Sequence, residues 1–400
     1  MLRSRVSLWA LLLSAAAACT TAPVDVPVDD QLAREATSIL FWPEAVQIEG
    51  YRTIAQQFPT RRVAASAEPL PLPAANDPLD PRSIRFPAFD AEISLHDWLT
   101  RDRVVGAIVV HRGEVLHESY RFGNTAESPW ISFSVAKSLT SMLIGAAIRD
   151  GYIASVDDPV ADYLPLLRSS GYRDATIEDV LRMASGVAWD ENYFDPNSDV
   201  SRAGGLNGLP LIRYMSGLQR ETEPGVKFNY STGETNLAGA VLRAAIGNNA
   251  AEYLTHRIWQ PFGMEHDATW LLAEAGGGEL GGCCLNATLR DYARIGLFAL
   301  GGGVLADGKG VLADGWMRES VAPSPGYAGY GYLWWLGADS RFGARGIFGQ
   351  MIHIDPKREL VIAFHGAWRA AVGRELGARR AQAVEAITAA VDARGGANRE

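Results

Sequence analysis

The sequence predicts an α+β fold: an antiparallel sheet assembled from both ends of the chain, flanked by helices, with a mainly helical region inserted between its halves. Three observations carry this expectation. β-rich runs stand at 104–120 and return between 330 and 365. From about 151 to 282 the pattern is helices and loops with little alternation. Between the first strands and that region, residues 134–149 read as a helix apolar almost all round (Leu139, Met142, Leu143, Ile144, Ala146, Ala147, Ile148), which stops at Asp150-Gly151 and belongs in an interior.

In chain order, residues 1–18 have the layout of a secretory signal: Arg3 and Arg5, an apolar run over 6–13, then Ser14 and four alanines. The run is too short to span a membrane as a mature helix. Small residues directly before Cys19 resemble a bacterial lipoprotein signal, although Ala16 sits where such signals usually carry leucine. Lipidation of Cys19 is the favoured reading, with cleavage near Ala18 as its competitor; either makes the chain exported, and the first makes it a periplasmic lipoprotein with a lipid anchor. Residues 19–89 read as an arm and proline-rich linker without chemistry of its own, because Pro69, Pro71, Pro73, Pro78, Pro81 and Pro87 exclude helix interiors and central strands. Two β-rich runs, 104–111 and 114–120, form a hairpin across Arg112-Gly113, with histidines that face solvent. Late strands are expected at 330–336, 346–355 and 360–365, and an amphipathic helix over 374–392.

Composition narrows the function. A net charge of -9 and a pI near 5.4 argue against a nucleic-acid partner. Three cysteines are too few for a disulfide framework, and Cys283-Cys284 read more simply as two buried thiols than as a strained vicinal disulfide. No Gly-x-Ser-x-Gly elbow and no His-Glu-x-x-His or clustered His/Cys pattern occurs, so neither an α/β-hydrolase nor a metal site is indicated, and no cofactor is called for. Gly276, Gly278 and Gly281 have a dinucleotide-fingerprint spacing, but no strand precedes them and they read as a loop.

The chemistry concentrates at the start of the apolar helix. Ser134 and Lys137 are three residues apart, on one face and one turn from each other. A serine hydroxyl is a weak nucleophile until a base takes its proton, and an amine can do so only when uncharged. Burial in an apolar helix lowers a lysine pKa, and the helix N-terminus offers free N–H groups to an oxyanion. The bland alternative is that Ser134 caps the helix and Lys137 snorkels to water. Such a pair also needs a proton donor for the leaving group, and Tyr230, in the loop before an apolar helix at 237–246, is the candidate, with a buried structural tyrosine as its alternative. The glycines of Arg345-Gly346-Ile347-Phe348-Gly349-Gln350, opening a late strand, permit close approach of a ligand.

Ser134-Val-Ala-Lys137, Tyr230-Ser-Thr and Gly346-Ile-Phe-Gly-Gln350, in that order, resemble the three motifs of the serine β-lactamase and penicillin-binding-protein superfamily. The class C-related branch, to which 6-aminohexanoate-dimer hydrolase and many esterases belong, is the nearest in pattern, and the resemblance covers roughly 104 to 365. It implies a β-lactamase/transpeptidase-like fold, with residues 90–400 as a hydrolase domain: a sheet lobe at about 90–130 and 285–400, and a helical lobe at about 131–284. It implies Ser134 as the acylated nucleophile, Lys137 as its base, Tyr230 as proton relay, and the backbone N–H groups of Ser134 and Ile347 as the oxyanion hole. Gly346 and Gly349 would lie against substrate, and Tyr193 resembles a substrate-contacting loop tyrosine of the aminohexanoate-dimer branch.

Two departures bear on the substrate. Thr232 stands where many relatives have asparagine, removing an amide contact. The third motif lacks the Lys-Thr-Gly or His-Thr-Gly form that helps hold a β-lactam's or peptide's carboxylate; Arg345 supplies charge there, but Ile347 and Phe348 make the wall apolar. The expectation is a serine hydrolase acting on a small linear amide or ester. Its alternatives are a β-lactamase or D-alanyl-D-alanine carboxypeptidase-type enzyme, or a non-catalytic ligand-binding protein on the same scaffold.

Overall fold

In the computed structural model, residues 39–397 are described; the signal segment and Cys19 lie outside them. Residues 39–41, a single 3₁₀ turn, belong to one unit, and the chain from Trp42 onward forms another. In the latter, strand β1 (Thr60–Val63) precedes a short hairpin of β2 (Arg85–Ala88) and β3 (Ala91–Ser94). Next come β4 (Val104–His111), β5 (Glu114–Tyr120) and the two-residue β6 (Trp130–Ile131). After the helical region follow β7 (Ala268–Leu271), β8 (Leu285–Ala287), β9 (Trp335–Leu336), β10 (Phe342–Arg345), β11 (Met351–Asp355) and β12 (Leu360–Gly366).

The expected antiparallel sheet from both chain ends is present, in the order β5-β4-β12-β11-β10-β9. Its centre is the pairing of β12 with β4, where Ile362 opposes Val109 and Phe364 opposes Ala107. Side chains alternate faces along a strand. Ile108 and Val110 therefore enter the core shared with Leu139 and Met142 of the helix Val135–Arg149, while Ala107 and Val109 enter the core under Trp98 and Ile387. Both faces of β4 are covered, which is why its sequence is a continuous apolar run rather than an alternating one. The helix Leu289–Leu300 lies on the inner face; a Cβ at Gly296 would meet Val361 Cγ1 at 2.5 Å, so glycine sets how closely that helix approaches β12. A second sheet, β1-β7-β8-β6, leads directly into the apolar helix.

Several expectations are revised. Of 330–336 only Trp335 and Leu336 are strand, because Leu333 adopts φ 60° and breaks the extended run. Of the strand expected over 346–355, Met351–Asp355 forms β11, but Ile347–Gly349 is a 3₁₀ turn between β10 and β11; Phe348 at φ 58° and Gly349 at φ 99° reverse the backbone there. The segment read as an arm and linker up to 89 is built into the body. β1 pairs with β7, the β2–β3 hairpin spans residue 89, and Leu70 O accepts from Arg294 Nη2 at 2.8 Å. Its prolines fall in the stretches between these anchors or, like Pro87, on a two-stranded ribbon. The hairpin histidines are partly covered rather than facing solvent: His117 Nε2 lies 2.9 Å from Ser119 Oγ, and burial lowers its pKa to about 4. Of Cys283 and Cys284, read as two buried thiols, Cys284 is buried and Cys283 half-buried.

Candidate active site

The apolar helix begins at Val135, with Phe133 at φ 44° immediately before Ser134. That left-handed residue turns the chain out of β6 and into the helix, placing Ser134 at the junction. Ser134 does not cap the helix with its side chain; its hydroxyl instead lies beside the Tyr230 phenol. Lys137 does not snorkel: it is 1% exposed. Its Nζ donates to Thr232 Oγ1 at 2.9 Å and to Gly282 O at 3.0 Å, and lies 5.5 Å from the centroid of the Tyr230 ring. Desolvation pulls the Lys137 pKa down to about 8, with Glu191 acting in the opposite direction. Burial, reinforced by Glu191, pushes the Tyr230 phenol well above its usual range, so this tyrosine keeps its proton.

Tyr230 stands one residue before Ser231, whose Oγ accepts from Glu234 N at 3.1 Å and caps the helix Thr232–Ile246. Its ring is fixed between Trp335, stacked at 5.6 Å, and Tyr330, edge-on at 5.7 Å. The third motif reaches the serine because Gly346 has no side chain: a Cβ there would meet Ser132 O at 2.6 Å. Gln350 locks this contact, accepting from Trp130 Nε1 at 3.1 Å and from Gly366 N at 2.9 Å. The backbone N–H groups of Ser134 and Ile347 donate to no described backbone or side-chain acceptor. Ser134, Tyr193, Tyr230, Gly346 and Ile347 line one cavity of about 270 Å³. Gly349 does not line it; it packs instead on Trp368, whose Nε1 would lie 2.7 Å from an added Cβ.

One site residue carried no assignment in the sequence. Glu191 accepts from Tyr193 OH at 2.6 Å and from Thr232 N at 2.9 Å, and also from Thr232 Oγ1 and Trp189 Nε1. Thr232, which looked like a lost contact, is thus the link between this carboxylate and Lys137. Acidic character next to Tyr193 was the available signal, but nothing in the spacing says that the loop folds back onto the start of another helix. Among the described residues no group of His, Cys, Asp and Glu could hold a metal ion, and no helix is long and apolar enough to cross a membrane.

A serine–lysine–tyrosine cluster around a buried lysine defines a serine hydrolase of the β-lactamase type, and comparison with known proteins agrees. The family model described as Beta-lactamase matches residues 100–385, and the chain belongs to that family. A 6-aminohexanoate-dimer hydrolase of Paenarthrobacter ureafaciens is 30% identical over 315 residues, spanning 72% of this chain and 78% of that protein. Among solved structures, a candidate 6-aminohexanoate-dimer hydrolase from Bacillus anthracis shares the fold with a TM-score of 0.77 at 22% identity, over 89% of this chain and 96% of that one. A family VIII carboxylesterase shares it at 0.52 and 17% identity, over 73% and 94%.

Proposed function

We propose that the protein hydrolyses a linear amide or ester through an acyl-enzyme on Ser134, with Lys137 as base and Tyr230 as proton relay. The observation that carries this is the hydrogen bonding of Lys137. A neutral amine has two N–H bonds and one lone pair; the two bonds are used by Thr232 Oγ1 and Gly282 O. The lone pair is left for a proton from Ser134, one turn away on the same helix face.

In the first half-reaction Lys137 takes the Ser134 proton as Oγ bonds to the substrate carbonyl carbon. The carbonyl oxygen becomes an oxyanion and accepts from the backbone N–H groups of Ser134 and Ile347, which cost no reorganisation because they are already unpaired. On collapse the C–N or C–O bond breaks, Tyr230 gives its proton to the leaving group, and Lys137 returns a proton to Tyr230. Water then attacks the acyl ester by the same steps in reverse, with Tyr230 and Lys137 receiving its proton. Tyr193 and Gly346 line the cavity beside the acyl group. The relative that acts on a 6-aminohexanoate dimer and the carboxylesterase fold neighbour support linear substrates, as does the missing hydroxyl of the third motif.

The test is intact-protein mass after brief exposure to p-nitrophenyl butyrate. A single acyl adduct, lost in Ser134→Ala, is expected, with nitrocefin turned over at least about a hundredfold less efficiently. Absence of any adduct or release across esters, β-lactams and short amides would favour a binding protein on this scaffold, and efficient nitrocefin turnover would overturn the linear-substrate assignment.

We further propose export and anchoring through Cys19, supported by the basic, apolar and small-residue order of residues 1–18. Palmitate labelling lost in Cys19→Ala is expected; an unlabelled, unprocessed chain would refute it.

A further inference from the structure

A strip of aromatic rings runs from Tyr230 to the surface. Tyr230 stands edge-on to Tyr330 at 5.7 Å, and Tyr330 meets Phe228 at 5.3 Å between ring centroids. Phe228 in turn stacks on Tyr327 at 4.8 Å, with 27° between the planes. Exposure grows along the strip: Tyr330 is buried, Phe228 half-buried and Tyr327 43% exposed, with Val226 at 59%. Large apolar side chains gathered in one place at the surface, rather than scattered singly, mark a contact site.

Local sequence fixes the outer rings. Ser324-Pro325-Gly326-Tyr327 is a tight turn in which Ser324 O accepts from Tyr327 N at 3.2 Å, and Gly326 supplies the φ of 71° that follows the proline. Pro224-Gly225 makes a second corner directly before Val226, held by Gly225 N donating to Ala184 O at 2.8 Å. The two corners meet: a Cβ at Gly326 would lie 3.6 Å from Val226 O and 3.9 Å from Phe228 N. Rings presented on such corners lose little conformational freedom when a ligand arrives. Burial lowers the Arg345 pKa and Tyr327 acts against that shift, which puts the Tyr327 phenol near a residue that lines the reaction cavity.

We propose that Phe228 and Tyr327 form an outer subsite for the leaving group of the substrate, and that this group is an alcohol or amine bearing an aromatic ring. The proposal rests on the hydrolase reading above. There Tyr230 gives its proton to the departing oxygen or nitrogen, so the strip begins where that atom stands. A flat ring on the departing side can pack on the exposed part of the Tyr327 ring, whereas a saturated ring of the same size gains the burial without the ring–ring attraction.

The experiment compares benzyl butyrate with cyclohexylmethyl butyrate as substrates of the full chain. Both pass through the same butyryl-enzyme, so a difference in kcat/KM belongs to the leaving group alone. The ratio of kcat/KM, benzyl over cyclohexylmethyl, is expected to be at least about threefold higher in the wild type than in Tyr327→Ala, a comparison that cancels the intrinsic reactivity of the two esters. Tyr327→Phe, which keeps the ring, should keep the ratio, and Phe228→Leu should reduce it. The same ratio in wild type and Tyr327→Ala overturns the subsite. Failure of the wild type to be acylated by p-nitrophenyl butyrate would instead remove the hydrolase reading. Calorimetric titration of benzyl alcohol and of cyclohexylmethanol into Ser134→Ala separates the two failures, because it reads the subsite without turnover: binding of benzyl alcohol tighter by about threefold or more supports the subsite, and equal binding overturns it.

Discussion

Lys137 Nζ donates to Thr232 Oγ1 at 2.9 Å, and that hydroxyl passes its own proton toward the Glu191 carboxylate. Lys137, the proposed base, is thus tied to a charge it does not touch. Burial alone lowers the Lys137 pKa to favour the neutral amine, and Glu191 limits the shift, leaving it near 8. The carboxylate holds the ammonium that forms during acylation, so one residue opposes the starting state of the base and favours its product.

Glu191→Gln removes the charge while keeping acceptors for Tyr193 and Thr232. The acidic limb of kcat/KM, which reports loss of neutral Lys137, is expected near pH 8 in the wild type and should move to lower pH in the variant. Thr232→Val should lower kcat at least about tenfold by breaking the link. A pH–rate series with a neutral ester decides the matter, and a limb that stays in place in Glu191→Gln would remove the carboxylate from the circuit.

A buried lysine is a burden on the fold. The folded pKa near 8 lies below the 10.5 of the free side chain, so between those values the unfolded chain binds more protons and wild-type stability rises with pH. At neutral pH the penalty is on the order of 3 kcal/mol. Lys137→Met should therefore raise the free energy of unfolding by about 1–3 kcal/mol at pH 7 while abolishing acylation. Denaturant melts at pH 7 and pH 10 check the sign: the gain over wild type should shrink at the higher pH.

Tyr51, from the segment expected to be a linker, packs edge-on against Trp130 and Phe133 and contacts Phe348 at 5.5 Å between centroids. Phe133 precedes Ser134 and Phe348 follows Ile347, so this ring buttresses both halves of the proposed oxyanion hole. Its hydroxyl is buried without a partner among the described residues. Tyr51→Phe should be neutral or slightly stabilising, whereas Tyr51→Ala should cost about 3–5 kcal/mol and lower kcat at least about tenfold, measured well below its melting temperature. Full kcat in Tyr51→Ala would show that the site holds its geometry unaided.

Glu234 sits in the core with Ser185 and Tyr172 on one oxygen and, among the described residues, no partner on the other. Desolvation raises its pKa from 4.5 to about 8. The folded state therefore holds a proton that the unfolded chain releases between those values, and stability falls as pH rises through that window. Thermal melts from pH 5 to 8.5 should show this decline in the wild type and a flatter profile in Glu234→Gln.

Much of the fold could be read along the chain because it rests on local patterns. The hairpin at 104–120 announces itself through β-branched runs around a glycine turn, and the serine helix through its apolar circumference. The serine, lysine and tyrosine stood out by residue type and spacing. The turn at 347–349 did not, since its reversal depends on positive φ at Phe348, which only the surrounding contacts with Trp368 and Ala371 sustain. The strand pairing of residues 60–94 is illegible for a related reason: prolines announce what a segment cannot be, not which strand edge it meets.

What the sequence determined by itself is the chemistry available at the helix start, a hydroxyl and an amine one turn apart, and the strand and helix periods that bury that helix. Tertiary structure decided whether the amine is neutral, which residue tunes it and what lies opposite the serine. Those depend on desolvation and on the contacts between Lys137, Thr232 and Glu191. Groups dozens of residues apart in the chain become neighbours only when the sheet and its helices close around them, and electrostatic energies inside a protein are set by that closure rather than by order along the chain.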